Sequence, residues 1–441
     1  MTVDEILDRV SWMEWDERLA LFRGICSYIG EDAALQQLLE RRGADIDVVL
    51  KSLPAFSSLI ESGKATMAEV CSSAAAHETD ARSTRSALSA DPSRRLRVAS
   101  WPGRHYQHNP FIPLFCEGLT AAGADVLDVR DPCDEPHPAA DILHIHWPEQ
   151  VFWQAGAPEQ SAVAAASTLR ALARWKSGGA RIVWMVHNTA PHDLAPWQRE
   201  IWSGFYREGL GRLCDGFLTL SPSTLTVARE AIPELRDKPG AFALHPTYPG
   251  VWRPASLRPA TCARLGFPEE AKVIACLGLV RAYKGLDELV EVFRSLPDER
   301  LRLLIAGKPV PAEAADTLRA LAQNDGRIRL VLSHLEVEEF CQYKAVADLI
   351  VIPFRNYLHS ASLIHGISAG RTVLTPDAPF SRDLRAQFGS DRVRLYDPPL
   401  TAQALLGALA AVTTPRPAGD VNDAVITGRQ ALSFYDRVLA Q

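Results

Sequence analysis

The residues with the clearest capacity for chemistry lie in GLVRAYKGLDEL, residues 278–289. An apolar run, KVIACLGL (272–279), leads through a glycine to Arg281, Lys284 and Gly285 and then to an acidic helix start. Two cations three residues apart, at the carboxyl end of a strand and beside a helix start, suit a diphosphate. A second group offers proton transfer. His187 closes an apolar run and is followed by Asn188, His192 and Asp193, while Glu149 follows another run at HWPE. Strand-end positions put such side chains at the rim of a cleft, and imidazole or carboxylate has a usable pKa there. His144 and His146 alternate with Ile145 and share one strand face, but no third metal ligand accompanies them. No Asp-x-Asp motif stands at a strand end, so neither a metal nor another cofactor is expected.

These groups need a scaffold that gathers strand ends. From Leu96 onward, short β-rich runs alternate with helical segments: LRVASW (96–101), ADVLDV (124–129), DILHIHW (141–147), RIVWMVH (181–187), GFLTLS (216–221) and FALHP (242–246), with helices around 111–122, 160–176 and 196–213. After a Pro- and Arg-rich junction at 251–260 a second series follows: VIACLGL, LRLLIAG (301–307), IRLVL (328–332), DLIVIPF (348–354), TVLTP (372–376) and VRLYD (393–397). Alternation of this kind predicts two parallel, doubly wound sheets with the ligand between their strand carboxyl ends.

Residues 1–77 read differently. Thr2 and Glu5 form a capping-box pattern, Gly30 and Gly43 mark breaks, and Pro54 opens a third helix, which together predict a small antiparallel bundle. Trp12 and Trp15 suit its core better than a docking surface. The expected organisation is a helical extension at 1–77, a polar linker at 78–95, Rossmann-like domains at 96–255 and 256–415, and a helix at 416–441 returning to the first domain. The bundle is a candidate for binding a protein partner or mediating dimerisation.

Composition narrows the function classes. Of the net charge of −6, residues 1–77 carry all of it, with thirteen acids and seven bases, leaving forty of each elsewhere. That balance argues against a nucleic-acid binder, which would show a basic face. No apolar run approaches the ~18 residues of a spanning helix. The N-terminus has neither a basic leader nor an apolar signal core. The eight cysteines are scattered without a Cys-x-x-Cys pair, as reduced core thiols of a cytoplasmic protein would be.

Two Rossmann-like domains with R-x-x-K-G after the first strand of the second resemble a GT-B glycosyltransferase. The chain is similar in particular to bacterial GDP-mannose:glycolipid 4-β-mannosyltransferases, which build xanthan-like exopolysaccharides. The likeness runs over about residues 96–400 through RVASWPGRHYQHNPF (97–111), DILHIHWPE (141–149), WMVHNTAPHD (184–193), GLVRAYKG (278–285) and PFRNYLHSASLIHGISAGRTVLTPD (353–377). It departs from the broader retaining family at one point. Alignment on Gly370 and Val373 puts Leu358 and His365 where that family carries two glutamates, so the resemblance implies an inverting enzyme.

The resemblance implies a nucleotide-sugar donor, a glycan or glycolipid acceptor and no metal. Arg281 and Lys284 would receive the leaving diphosphate, helped by Ser360 and Ser362 near the start of the helix through Ser368; simple helix capping is the alternative for the serines. Asp193 and Glu149 stand level as the base, while His187 matches the family's strand-end histidine, which often touches the donor sugar. The loop at Gly103 would line the cleft, its glycine admitting a ligand close to the backbone, with Asn109 on sugar or phosphate. For Asn109 a turn and helix start is an equal reading. The donor base would sit near Lys308–Pro309 and Ser333–His334. A lipid-linked acceptor would bring the first domain to a membrane surface, with Trp147, Phe152, Trp153, Trp197, Arg170, Arg174, Lys176 and Arg199 as the candidate contacts. Two alternatives remain open: a GT-B transferase using a UDP-sugar and a protein or small-molecule acceptor recruited by residues 1–95, and a non-catalytic binder of sugar nucleotides or partners.

Overall fold

The computed structural model describes residues 46–76, 94–106, 109–153, 155–191, 194–310, 312–415 and 422–441. The capping box at Thr2, both N-terminal tryptophans, Gly30 and Gly43 lie outside them, as do His192 and Asp193.

The first domain opens with α1 (Ile46–Ala76) and then alternates β1 (Arg97–Trp101), α2 (Phe111–Ala121), β2 (Asp125–Asp128), β3 (Ile142–Ile145), α3 (Pro158–Ser177) and β4 (Arg181–Met185). It continues through α4 (Pro196–Ile201, running on through a π-turn at Trp202–Tyr206 into Arg207–Leu213), β5 (Gly216–Thr219), α5 (Pro222–Ala231) and β6 (Gly240–Phe242). The second domain comprises α6 (Arg258–Leu265), β7 (Lys272–Leu277), α7 (Leu286–Arg294), β8 (Leu301–Ala306), α8 (Ala314–Ala322), β9 (Ile328–Val331) and α9 (Val337–Val346). Then come β10 (Leu349–Val351), α10 (Ala361–Ser368), β11 (Thr372–Pro376), α11 (Pro379–Phe388), β12 (Val393–Tyr396), α12 (Ala402–Ala410) and α13 (Ala424–Leu439).

Each domain holds one six-stranded, wholly parallel sheet, ordered β2-β1-β3-β4-β5-β6 and β12-β11-β10-β7-β8-β9. Helices cover both faces, so the central strands are buried along their length: β3, β4, β5, β10 and β11 expose no residue. The edge strands β2, β6 and β9 are partly open, as expected where a neighbour is missing. One device recurs at strand starts. Asp141, Asp215 and Asp348, each just before a strand, accept the backbone N–H of Arg97, Ile182 and Val273 on the adjacent strand at 2.8 Å. Each also holds an arginine: Arg94, Arg181 and Arg258 respectively.

The strand order places one topological switch in each sheet. In the first domain it falls between β1 and β3, and in the second between β7 and β10. Ligands of open α/β sheets bind at the carboxyl ends of strands flanking such a switch.

Three expectations change. Pro54 does not open a helix but lies inside α1, which begins by Ile46. That helix is not part of a separate body: Ile60, Met67, Val70 and Ala74 are buried in the first domain's core, and α1 packs on α3 and α4. The strand expected at 242–246 is displaced to Gly240–Phe242. Beyond it Ala243 and His245 still donate to Thr219 and Leu220 at 2.9 and 3.2 Å, but Pro246 has no N–H to extend the ladder.

α13 lies against α2 in the first domain, and its Tyr435 hydroxyl meets His144 Nδ1 at 2.7 Å. Its start brackets the crossover between domains, where Thr247 donates to the Asn422 carbonyl at 2.7 Å.

Candidate active site between the two switch points

The loops after β1 and β3 form the first-domain wall. Tyr106 ends the described part of the first loop, and Glu149 stands on a 3-10 turn, Pro148–Phe152, after the second. The turn is held from behind. Tyr206, set within the π-turn of α4, donates to the Pro148 carbonyl at 3.2 Å, and Gln198 Nε2 donates to Phe152 and Ala155 at 2.8 and 3.2 Å. Glu149 is itself only 9% exposed. The second-domain wall is the loop after β7, with Arg281 half-buried and Lys284 buried, together with the segment between β10 and α10.

The two walls meet electrostatically at Tyr106. Burial raises its phenol pKa, the Glu149 carboxylate raises it further, and the Arg281 guanidinium lowers it. A single side chain therefore stands in the fields of an acid from the first domain and a cation from the second.

Lys284 Nζ lies over the Phe354 ring, 4.8 Å from its centroid. Both Lys284 Nζ and Ser362 Oγ come within 3.5 Å of where a side chain on Gly278 would begin, so they converge on one small volume. Two helices start here. α7 carries Asp287 and Glu288 in its first turn, whereas α10 carries no acid there, so α10 is the one suited to an anion. Asp287 is paired with Arg355 at 2.8 Å.

Several sequence-based expectations are corrected. The Ser360 hydroxyl is buried and accepts from Leu363 N, so it caps α10; Ser362 is the serine that remains for a ligand. Gly103 faces β2, not a ligand: a Cβ there would lie 2.5 Å from Asp128 Oδ1, whose carboxylate accepts from Arg104 N. Asn109 Oδ1 accepts from Phe111 N at 3.0 Å and so serves the start of α2. Gly285 has φ +61 and would place a Cβ 2.3 Å from the Pro353 carbonyl oxygen, so it is required by the backbone turn between Lys284 and α7.

His187 is also redefined. Its ring stacks on Trp147 at 4.2 Å and its Nε2 meets His146 Nδ1 at 3.0 Å. Burial, reinforced by neighbouring histidines, holds its pKa well below the ordinary value. An imidazole so engaged is a poor proton acceptor, which leaves Glu149, with Asp193 outside the described residues. His144 and His146 do share a face, with ring centroids 4.5 Å apart, and are fully buried among Phe111, Phe115 and Tyr435. Among the described residues no cluster of three His, Cys, Asp or Glu has metal-binding geometry.

Lys308, Pro309, Ser333 and His334 line one open cavity of about 640 Å³ at the ends of β8 and β9. Of the candidate membrane contacts, Phe152 is 1% exposed and Lys176 is buried in a pair with Asp215 at 2.7 Å, so both are withdrawn from any surface. No described helix is long and apolar enough to cross a membrane.

His359 was missed. From the second domain it reaches the first, where Nε2 accepts from Leu220 N at 3.1 Å and Nδ1 donates to the His187 carbonyl at 3.3 Å. Asp383 adds a second tie, accepting from Ser223 N and Oγ at 2.8 and 2.7 Å. A histidine next to Leu358 carries no local signal of such a role, because its partners are 139 and 172 residues away.

No family model matches the chain. It is 27% identical over 284 residues to a GDP-mannose:glycolipid 4-beta-D-mannosyltransferase of Xanthomonas campestris pv. campestris, covering 64% of this chain and 75% of that protein. A shorter similarity, 33% over 110 residues, links it to a D-inositol 3-phosphate glycosyltransferase of Xylanimonas cellulosilytica, covering 24% of this chain and 26% of the relative. Among solved structures, sucrose-phosphate synthase from Thermosynechococcus elongatus superposes with a TM-score of 0.53 at 14% identity, over 78% of this chain and 95% of that one. A glycosyltransferase from Rickettsia africae gives 0.53 at 12%, over 79% and 99%. The fold is therefore GT-B. The relatives that the chain resembles in sequence are named as glycosyltransferases.

Proposed function

We propose that the protein is an inverting mannosyltransferase, moving mannose from GDP-mannose to a lipid-linked glycan in surface-polysaccharide synthesis. The observation that carries this reading is the convergence of Lys284 Nζ and Ser362 Oγ, each 3.5 Å from where a side chain on Gly278 would begin, at the acid-free start of α10. Mannose and the glycolipid acceptor enter through similarity to a protein so named.

In this reading the acceptor hydroxyl attacks the anomeric carbon while the bond from that carbon to the phosphate oxygen breaks. Glu149 takes the hydroxyl proton, or Asp193 does. The departing diphosphate gathers negative charge, which Arg281, Lys284, Ser362 and the α10 N-terminus meet. These cations supply the charge that a metal would otherwise bring, so transfer is proposed to be metal-independent. Inversion is supported by the residues where retaining enzymes carry carboxylates. Leu358 is buried in the first domain's core cluster, and His365 stacks on Tyr248 at 3.8 Å with Nδ1 3.4 Å from Lys344 Nζ. Neither can act as a carboxylate nucleophile or stabilise an oxocarbenium ion as one would.

Calorimetric titration with GDP, UDP, GDP-mannose and UDP-glucose, without added metal, tests this on wild type and Arg281→Ala. GDP binding that the substitution weakens at least about tenfold, a loss of one charge-assisted contact, is expected. Preference for UDP would overturn the mannosyl assignment while leaving the fold and the diphosphate site intact.

A further inference from the structure

Aromatic rings form a continuous series from the surface to the floor of the first-domain wall. Trp153 is 52% exposed, Tyr106 and Trp147 are half-buried, and His187 is buried. Tyr106 stands 6.3 Å from Trp153 and 5.6 Å from Trp147, with interplanar angles of 33° and 38°. Trp147 in turn stacks on His187 at 4.2 Å and 24°. The rings thus follow one another in modestly tilted steps, rim to floor.

Packing does not require this arrangement at its outer end. Trp153 keeps about half of its surface open to solvent, and it follows directly from the turn that carries Glu149. Tryptophan and tyrosine present large, rigid faces that lose little conformational freedom on binding, and they carry polar edges for hydroxyl groups. A pyranose ring offers a flat patch of C–H bonds on one face and hydroxyls around its rim, which complements such a surface. The series spans more than one sugar ring, and Trp147 and Trp153 flank the turn that carries Glu149.

We infer that Trp153, Tyr106 and Trp147 form an acceptor subsite that recognises a glycan of two or more pyranose rings, its reacting end toward Glu149 and its remainder running out over Trp153. This rests on Glu149 of the first domain receiving the acceptor's proton, as proposed above. A lipid surface is the weaker occupant. The basic side chains of α3 that would attract anionic headgroups are engaged with protein partners: Arg174 with Glu135 at 2.7 Å, Lys176 with Asp215, and Arg170 toward Thr66.

The test uses the full chain as wild type, Trp153→Ala and Trp153→Phe, with cellotetraose, maltotetraose and glucose as probes. Binding is read by tryptophan fluorescence and calorimetry, and GDP and UDP binding are measured on the same samples. Trp153 is exposed, so both variants fold. At least one tetrasaccharide should bind about tenfold more tightly than glucose, and Trp153→Ala should lose most of that gain while Trp153→Phe keeps it, as expected for loss of one stacking contact. Nucleotide binding should be equal in all three proteins. Tetrasaccharides that bind no better than glucose, or that Trp153→Ala binds as well as wild type, overturn the inference. So does loss of sedimentation with phosphatidylglycerol vesicles in Trp153→Ala with sugar binding untouched, which would make the rim a lipid contact. Glycan binding with no nucleotide binding in wild type would instead sink the mannosyltransferase reading and leave the subsite standing.

Discussion

The two switch points share a topology but differ in chemistry. The first is built from aromatic rings, buried neutral imidazoles and one enclosed carboxylate. The second is built from glycines, two cations and a helix start free of acids. Parallel strands deliver both sets to the same cleft, yet only the second suits a diphosphate, whereas the first suits an uncharged polyhydroxylated partner and proton removal. The contrast shows that the fold supplies the meeting place, and the loops at each sheet's switch divide the labour.

The sharpest way to break that contrast is to remove the acid. Glu149→Gln is expected to lower kcat by about 10²–10⁴, the usual size of general-base catalysis, with nucleotide affinity unchanged. Near-normal turnover in steady-state assays would transfer the role to Asp193. A second prediction concerns the imidazoles. Burial drives the pKa of His144 and His359 down to about 3 and of His245 to about 4, and holds His146 and His187 well below the ordinary range. The unfolded chain takes up these protons as pH falls through about 6.5 while the native state refuses them. Stability is therefore full above that pH and is lost progressively below it, with the losses of the buried histidines adding. Urea midpoints at pH 7.5, 6.5 and 5.5 should fall in that order, and a flat profile would mean that the native first domain accepts the protons.

At the second switch point, Gly285→Ala forces a Cβ against the Pro353 carbonyl in a left-handed turn. A loss of about 1–3 kcal/mol is expected, with weaker GDP binding because Lys284 precedes the turn. Thermal unfolding and calorimetry on one sample check both parts. The smallest effect belongs to the tie between the domains. His359→Ala removes an acceptor for Leu220 N and a donor to His187, at a cost of about 1–2 kcal/mol in a thermal melt, with nucleotide affinity kept. Unaltered stability would mean that Asp383 and the crossover hold the two domains together without it.

Much of the scaffold was readable because it is local. Runs such as RIVWMVH and KVIACLGL are apolar throughout, as strands buried on both faces must be, and the amphipathic stretches between them mark the crossover helices. The cations of GLVRAYKG were readable for the same reason, since strand, turn and helix start are consecutive in the chain. The roles of Gly103, Ser360 and His187 were not. Each depends on what lies against it: Asp128 beside Gly103, the α10 backbone at Ser360, and Trp147 with His146 around His187. α1 was misjudged for a related reason, because its apolar face is legible in sequence but the α3 and α4 surfaces that cover it are not.

The sequence by itself determined the alternation of strands and helices, the two-domain plan and the position of the anion-binding turn, because hydrophobic period and turn chemistry act over a few neighbours. Only the tertiary structure decided that Glu149 and Arg281 both act on Tyr106, which histidines are sealed as neutral rings, and that Trp153, Tyr106, Trp147 and His187 form one series. Those relations join residues mostly tens to hundreds of positions apart, and they exist only once the chain has folded, the first domain on itself for the rings and the two domains together for Glu149 and Arg281.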